Sequence, residues 1–169
     1  MRDTIQFQHA TRDDLYSIAE FLDTVWRREY RAIVADDYLD TMSVEARYQG
    51  LLKRFDEGAS SFLMMLDGER LVGATVFGRS FTDGYEKDGE ISAIYLHKDY
   101  IGKGYGHRLF TKTEQALTAM GYTHFVLDVL SGNTRAVQFY LKHGYEILAN
   151  RTIPLGEVEY PLTVLRKQM

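Results

Sequence analysis

The sequence predicts a mixed α/β fold, and three observations support that prediction. The chain has 169 residues, a length at which a single domain, residues 1–169, buries a substantial core. Short β-prone runs and longer runs with helical spacing follow one another in the order β-α-α-β-β-β-α-β-α-β-β. A glycine-rich loop, residues 101–106, joins one strand-like run to a helix-like run. We therefore expect a central mixed sheet of about seven strands with flanking helices.

The first half of the chain predicts a strand, two helices and a hairpin. Thr11 and Asp14 form the pattern of a capping box before a run with helical spacing. Asp67-Gly68 lies between two apolar runs and is a strong hairpin signal. An irregular stretch is expected around residues 35–37. The predicted boundaries are 5–9 for the strand, 15–26 and about 43–56 for the helices, and 62–66 and 71–77 for the hairpin strands.

The next strand, Glu90–Leu96, shows a break in its alternation. Ile91 and Ala93 share one face, whereas Ile94 and Leu96 share the other, so the apolar phase slips near Ala93-Ile94. An inserted residue, a β-bulge, produces such a slip and would splay the strand from its neighbour. A strand buried on both faces would give the same pattern, and the residues alone leave both interpretations open.

The remaining elements complete the predicted order. Ser80–Gly89 is interpreted as a mobile loop before the bulged strand. From His107 onward, apolar residues recur at helical spacing, and His124–Leu130 is typical of a buried strand. Val158–Leu165 predicts the last strand, in which Pro161 favours an edge position or a bulge because proline donates no ladder hydrogen bond.

The glycine loop, Ile101-Gly102-Lys103-Gly104-Tyr105-Gly106, predicts a pyrophosphate site. Glycine lets backbone N–H groups approach a guest closely, and the following helix start adds free donors and partial positive charge. A dinucleotide fingerprint does not fit, because His107 stands where its third glycine belongs, and no Walker triplet occurs. An ordinary glycine-rich turn is the alternative. Four cations make the segment locally basic: Lys98, Lys103, Arg108 and Lys112.

A third motif follows the buried strand. Asn133 or Thr134 can cap a helix that Gly144 can end in a left-handed conformation. The glycine loop after a bulged strand, followed by Asn-x-x-Ala-x-x-Phe-Tyr-x-x-x-Gly-Tyr, resembles the GNAT superfamily of acyl-CoA-dependent N-acetyltransferases. It is most similar to the bacterial type that acts on small molecules and amines. The resemblance covers most of the chain, and its motifs lie in residues 90–145.

The resemblance implies a GNAT fold with a bulged, splayed strand pair and acetyl-CoA as the acyl donor. One position departs from the family, which usually has Gln or Arg where this chain has Ile101, and this puts one pyrophosphate contact in doubt. The residues that the resemblance assigns to the cofactor are Ile94, Tyr95, Leu96, Gly102, Lys103, Gly104, Tyr105, Gly106, His107, Asn133, Tyr140 and Lys142.

Direct acetyl transfer to a primary amine in a ternary complex requires a base, an oxyanion site and an acid. An ammonium group with a pKa of ~10.4 must first lose a proton. The resemblance implies Glu90 as the base, directly or through water, with a solvated strand-end carboxylate or a structural salt bridge as the alternative. It implies Tyr140 as the acid that protonates the thiolate, with a core aromatic as the alternative. Backbone N–H groups near Ile94 would hold the oxyanion.

The acceptor is a small-molecule or peptide amine, and its identity stays open among polyamines, protein amino groups, aminoglycosides and amino acids. Trp26, Tyr30 and Glu90 are the predicted acceptor residues, although core packing also explains Trp26. The five histidines lack metal-ligand spacing, so no metal is expected. A homodimer is one option. The rival functions are a catalytically silent acyl-CoA-binding module and an enzyme that uses a larger acyl donor.

Composition limits the class of protein. Hydrophobic residues make up 45% of the chain and charged residues 26%, as in ordinary soluble proteins. No apolar stretch approaches the ~20 residues that cross a bilayer, and no signal peptide is recognisable. A net charge of −4 and a pI near 5.7 argue against a general nucleic-acid surface. Without cysteine the chain has no disulfide or thiolate site. We expect a cytoplasmic protein without nucleic-acid or membrane partners.

Overall fold

The computed structural model describes residues 3–169 and contains one seven-stranded sheet with five helices among those residues. The strands are β1 (Ile5–His9), β2 (Ser60–Asp67), β3 (Arg70–Arg79), β4 (Gly89–Leu96), β5 (His124–Leu130), β6 (Glu146–Leu155) and β7 (Val158–Gln168). The helices are α1 (Leu15–Tyr30), α2 (Asp36–Thr41), α3 (Val44–Asp56), α4 (Tyr105–Ala119) and α5 (Thr134–Lys142). The sheet order is β1-β2-β3-β4-β5-β7-β6. The predicted mixed α/β fold of about seven strands is confirmed.

Helices cover both faces of the sheet. Along β2, Leu63 and Met65 pack toward α4, whereas Phe62 and Met64 pack toward α1 and α3. This alternation follows from the two-residue period of a strand. Two hydrophobic layers therefore enclose the sheet, one on the α4–α5 face and one on the α1–α3 face. Within residues 3–169, no helix is long and apolar enough to cross a membrane.

The predicted helices α1 and α3 are present, with two differences. α1 continues past Trp26 to Tyr30, which is buried and extends the apolar face. The prediction of an irregular stretch around residues 35–37 was wrong, because α2 begins at Asp36. Two aspartates in its first turn favour this short helix through the partial positive charge at a helix start. At α3, Ser43 accepts a hydrogen bond from the Ala46 N–H, as expected for an N-cap.

The bulge in β4 is present, but at a different residue. Val76 of β3 pairs with Ala93, and Phe77 pairs with Ile91, so Ser92 is the inserted residue. The change of apolar phase predicted the inserted residue at Ala93-Ile94. The alternation of apolar residues reports only that the phase changes along the strand, whereas the pairing with β3 locates the insertion at Ser92. β4 pairs with β5 in parallel only as far as Glu90. The two strands then diverge.

The predicted edge position of Pro161 is confirmed locally. β7 as a whole lies between β5 and β6, but Pro161 pairs only with Thr152 of β6, and the register shift in that pairing occurs between Ile147 and Ala149. Pro161 is tolerated because β5 ends at Leu130, which pairs with Leu162, so no β5 residue lies opposite the proline. The proline carbonyl instead accepts a hydrogen bond from the Ser131 N–H.

The loop between β3 and β4 is anchored to the sheet at several points. Asp88 forms an ion pair with Arg166 of β7, with 2.7 Å between Oδ2 and Nε. The carbonyl of Asp83 accepts a hydrogen bond from Arg151 of β6 at 3.0 Å. Thr82 is buried and its hydroxyl donates to Glu90. These contacts hold the loop over the α1–α3 face, beside the point at which β4 and β5 separate.

Candidate active site

A cleft of about 370 Å³ lies in the wedge between the diverging strands β4 and β5. The residues of β4 beyond Glu90 have no partner in β5 within residues 3–169, so their outward backbone groups face the cleft. Ten of the predicted site residues line it: Tyr30, Ile94, Tyr95, Leu96, Gly102, Gly104, Gly106, His107, Asn133 and Tyr140. The structure thus brings together residues from four separate segments.

Five predicted site residues do not line the cleft. Trp26 stacks against Tyr30, with ring centroids 4.3 Å apart, and belongs to the core between α1, α2 and the β6–β7 hairpin. The Lys103 ammonium donates to the backbone carbonyl of Asp99 at 2.8 Å. Its charge is thereby directed away from the cleft. The others are Glu90, Tyr105 and Lys142.

The glycine loop is an exposed backbone surface at the start of α4. Gly102 and Gly104 have φ values of 78° and 85°, in the left-handed region that favours glycine. A Cβ atom built on either residue would meet nothing within 4 Å. Conformation, and not crowding within the fold, is therefore what requires glycine here. Because α4 begins at Tyr105, its first N–H groups are free to bind an anion in front of the loop.

His107, in the first turn of α4, is linked to α5. Its Nδ1 lies 2.8 Å from Nε2 of His143, whose Nδ1 lies 2.7 Å from the Phe139 carbonyl. Since a carbonyl only accepts, His143 donates from Nδ1, and in the neutral pair His107 donates to His143. The Nε2 of His107 then remains free beside the glycine loop.

The α5 start is connected to α1 across the mouth of the cleft. Asn133 caps α5 by accepting a hydrogen bond from the Ala136 N–H at 3.3 Å. Its amide group donates to the Tyr30 hydroxyl at 3.3 Å. Beside it, Arg135 forms a 3.0 Å ion pair with Glu29 of α1. Capping therefore accounts for Asn133, as the alternative interpretation held, and its amide also faces the cleft.

Tyr140 projects from α5 into the inner part of the cleft and is 9% exposed. Burial, and then the neighbouring Tyr30 and Asp128, raise the pKa of its hydroxyl well above the usual value. The phenol therefore keeps its proton throughout the neutral range. A protonated hydroxyl in this position is a hydrogen-bond and proton donor.

Glu90 is 7% exposed and lies directly beneath the wedge. Its carboxylate accepts hydrogen bonds from the hydroxyls of Thr82, Ser80 and Ser92, the last at 3.2 Å. No cation lies within ion-pair distance of it among residues 3–169, so a salt bridge does not account for its burial. The hydroxyl groups stabilise the charge in place of water.

Asp128, in the middle of β5, is the cleft residue that the sequence prediction missed. It is open to the cleft but closely surrounded by protein, and burial, followed by the charge of Glu90, raises its pKa to about 6. Arg151 acts in the opposite direction. The available signal was a lone carboxylate in an otherwise apolar strand, on the same face as Val126 and Leu130. A carboxylate of this kind is a candidate proton acceptor.

Comparison with known proteins gives one family. A model of the acetyltransferase (GNAT) family matches residues 18–145. Among curated relatives, the uncharacterized N-acetyltransferase YjcF from Bacillus subtilis (strain 168) is 34% identical over 96 residues, or 56% of this chain. That match spans 62% of YjcF, less than two thirds of its length. The uncharacterized N-acetyltransferase YuaI from the same organism is 26% identical over 156 residues, covering 91% of this chain and 87% of YuaI.

A solved structure shares the whole fold. The PaiA N-acetyltransferase from Thermoplasma acidophilum, in complex with coenzyme A, superposes with a TM-score of 0.79. The alignment covers 99% of this chain and 100% of that one, at 20% sequence identity. The expectation of a GNAT fold, made from the glycine loop and the Asn-to-Tyr helix motif, is confirmed.

Proposed function

The chain belongs to the acetyltransferase (GNAT) family, and from this membership we propose that it transfers the acetyl group of acetyl-CoA directly to a primary amine in a ternary complex. The observation that carries the proposal is the cleft between β4 and β5. The glycine loop lies at one end of this cleft, and Asp128 and Tyr140 lie inside it. A single guest can therefore contact an anion site and a proton donor at once.

We propose that the pyrophosphate of acetyl-CoA binds at Gly102–Gly106 and the start of α4. Free backbone N–H groups favour an anion there, whatever the side chains. Arg135, which also lines the cleft, supplies positive charge in place of Ile101 and Lys103. The pantetheine arm would then extend between the diverging strands, where unpaired backbone groups of Ile94 and its neighbours can hydrogen-bond to it.

The chemistry that we propose begins with the acceptor ammonium. Asp128 accepts its proton, because burial, followed by the charge of Glu90, raises the pKa of Asp128 to about 6. The amine nitrogen then attacks the thioester carbon, and backbone N–H groups near Ile94 stabilise the oxyanion. As the C–S bond breaks, Tyr140 donates its proton to the departing thiolate, and the second proton of the attacking nitrogen restores the phenol. The products are an N-acetylated amine and coenzyme A.

This assignment shifts the role of Glu90 from the one first predicted. Its carboxylate is occupied by three hydroxyl groups and lies outside the lining of the cleft, whereas Asp128 is reachable from the cleft. We therefore favour Asp128 as the direct proton acceptor. In this proposal Glu90 acts through Asp128, which differs from the direct or water-mediated role first predicted for it.

A thiol-release assay with acetyl-CoA and a panel of primary amines tests the proposal, with mass spectrometry of the products. We expect amine-dependent thiol release and a mass gain of one acetyl group on the acceptor. A protein that binds acetyl-CoA but acetylates no amine would support a silent binding module. Turnover only with a longer acyl-CoA would show that the enzyme uses a larger acyl donor than acetyl-CoA.

A further inference from the structure

Helix α3 presents two arginines to the α1–α3 face of β4. Arg47 and Arg54 are seven residues apart, so they lie two turns apart on the same side of the helix. Neither forms an ion pair among residues 3–169. By contrast, other arginines near the site are paired, such as Arg27 with Asp23 and Arg166 with Asp88.

Arg54 lies at the bulge, next to the cleft. Its Nη1 donates to the Ser92 hydroxyl at 3.2 Å, and that hydroxyl in turn donates to Glu90 at 3.2 Å. Ser92 lines the cleft. The guanidinium also stacks on the ring of Phe81, 4.6 Å from its centroid, and Arg79 stacks on the same ring at 4.5 Å. Stacking fixes the plane of the Arg54 guanidinium while leaving its other N–H groups unused.

Arg47 lies further along β4, beside Tyr95. Its Nε is buried and has no hydrogen-bond partner among the described residues. Burial lowers the pKa of its guanidinium, and the nearby Asp23 and Tyr95 oppose this effect. Tyr95 also lines the cleft. A partly buried guanidinium with an unused donor is costly unless a further group completes its hydrogen bonds.

Acidic residues also lie in α2 and in the loop between β3 and β4, and two of the loop carboxylates are engaged. Asp36 and Asp37 lie in the first turn of α2, where they favour the helix start. Asp88 pairs with Arg166, and Glu86 accepts a hydrogen bond from the Gly84 N–H. On the α3 side, Arg47 and Arg54 form no ion pair among residues 3–169, whereas the Asp128–Glu90 pair would receive the ammonium.

We propose that Arg47 and Arg54 bind an anionic group, a carboxylate or a phosphate, on the amine acceptor. This inference rests on the proposed function and narrows its substrate class. The acceptor is then an amine of the amino-acid type, or an aminoalkyl phosphate, and not a polyamine or an aminoglycoside. Ser92 separates the Arg54 guanidinium from the carboxylate of Glu90 by one hydroxyl, so the ammonium and anion sites lie within reach of one small molecule.

The test compares matched amines that differ only in the anionic group. Phenylalanine against phenethylamine tests a carboxylate, O-phosphoethanolamine against ethanolamine tests a phosphate, and spermidine represents a polycation. In at least one pair, we expect kcat/KM to be roughly 10- to 100-fold higher for the anionic member, the range for hydrogen bonds to charged groups. The pair with the larger ratio identifies the anion.

Two variants assign that preference to α3. In Arg54→Gln and in Arg47→Gln, KM for the anionic amine should rise toward that of its neutral counterpart, while kcat/KM for the neutral amine stays unchanged. A purely structural role would instead lower kcat/KM for the anionic amine and for the neutral amine together. Arg12→Gln is the matched control, since it removes the same charge from an exposed ion pair with Asp56. If Arg47→Gln unfolds, the test relies on Arg54→Gln and on the matched amines assayed with the parent protein.

The outcomes separate this inference from the function on which it rests. Equal kcat/KM within both pairs, a preference for spermidine, or an Arg54→Gln variant that keeps the anionic preference would each overturn the inference while leaving an acetyltransferase. Absence of turnover with every amine, despite acetyl-CoA binding, would contradict the proposed function and this inference with it.

Discussion

The two ends of the cleft are built in different ways. At the glycine loop, the surface is backbone, exposed, and formed by one continuous segment, residues 101–106. At the inner end, the groups are side chains from separate strands and helices: Asp128 of β5 lies inside the cleft, Tyr140 reaches in from α5, and Glu90 of β4 lies beneath them. A backbone site tolerates many side-chain changes, whereas a pair of coupled carboxylates does not. Substitutions at the glycine loop should therefore weaken acetyl-CoA binding without lowering kcat, and substitutions at the inner end should lower kcat without weakening that binding.

The largest effect is expected at Tyr140. Tyr140→Phe removes only the hydroxyl and keeps the ring packing against Phe110. If the phenol protonates the thiolate, kcat should fall by roughly 10²- to 10⁴-fold, the range for general acid–base assistance. Affinity for acetyl-CoA, measured by calorimetry, should stay close to that of the parent. An unchanged kcat would remove Tyr140 from the chemistry.

The next effect concerns Asp128, which must be ionised to accept a proton. Its pKa of about 6 implies that kcat/KM of the parent rises as the pH increases through about 6 and then levels off on that limb. In Asp128→Asn this limb should disappear, and turnover should fall by about 10²-fold or more at neutral pH. A pH–rate profile that keeps the limb in the variant would assign it to another group.

A smaller change is expected at Glu90, which acts through Asp128. Glu90→Gln removes a negative charge that raises the pKa of Asp128, so that pKa should fall and the acidic limb should move to lower pH. Loss of the limb, instead of its displacement, would make Glu90 the direct base. Ser80→Ala, which removes one of the hydroxyls on Glu90, is a control that leaves the charge in place.

The smallest effect is one of stability. Because folding raises the pKa of Asp128, the folded protein gains stability as the pH falls below about 6 and loses it as the pH rises through that value. Asp128→Asn should therefore raise Tm at pH 8 relative to the parent and have little effect at pH 4, as followed by calorimetry. A variant that is less stable at pH 8 would argue that the charged carboxylate is well satisfied in the fold.

The sequence predicted the glycine-loop end of the cleft better than the inner end, and the reason is physical. The left-handed conformation of Gly102 and Gly104 is a local property of the chain, and the glycine spacing in the sequence predicts it. The raised pKa of Asp128 comes first from burial and then from Glu90, 38 positions earlier, and both depend on strand pairing that exists only in the folded sheet. Likewise, the position of the bulge at Ser92 depends on pairing with β3.

The same limit applies to the pairing of charges. Lys103 was expected to help at the pyrophosphate, but its ammonium binds the Asp99 carbonyl instead. Arg47 and Arg54 have ordinary helical spacing in the sequence, and only the fold shows that neither forms an ion pair among residues 3–169. Which charges remain unpaired is decided by tertiary structure, so the sequence left the acceptor class open.

The most direct test of the separation between the two ends measures acetyl-CoA Kd and kcat at saturating donor for Gly104→Val and Asp128→Asn. Gly121→Val is the control for the first, because Gly121 also has a positive φ, 96°, and open space around a Cβ, but lies outside the cleft. We expect Gly104→Val to raise Kd beyond the control while kcat is retained, and Asp128→Asn to lower kcat while Kd is retained. Equal Kd for Gly104→Val and the parent, or a loss of donor affinity in Asp128→Asn as large as its loss of kcat, would contradict the account.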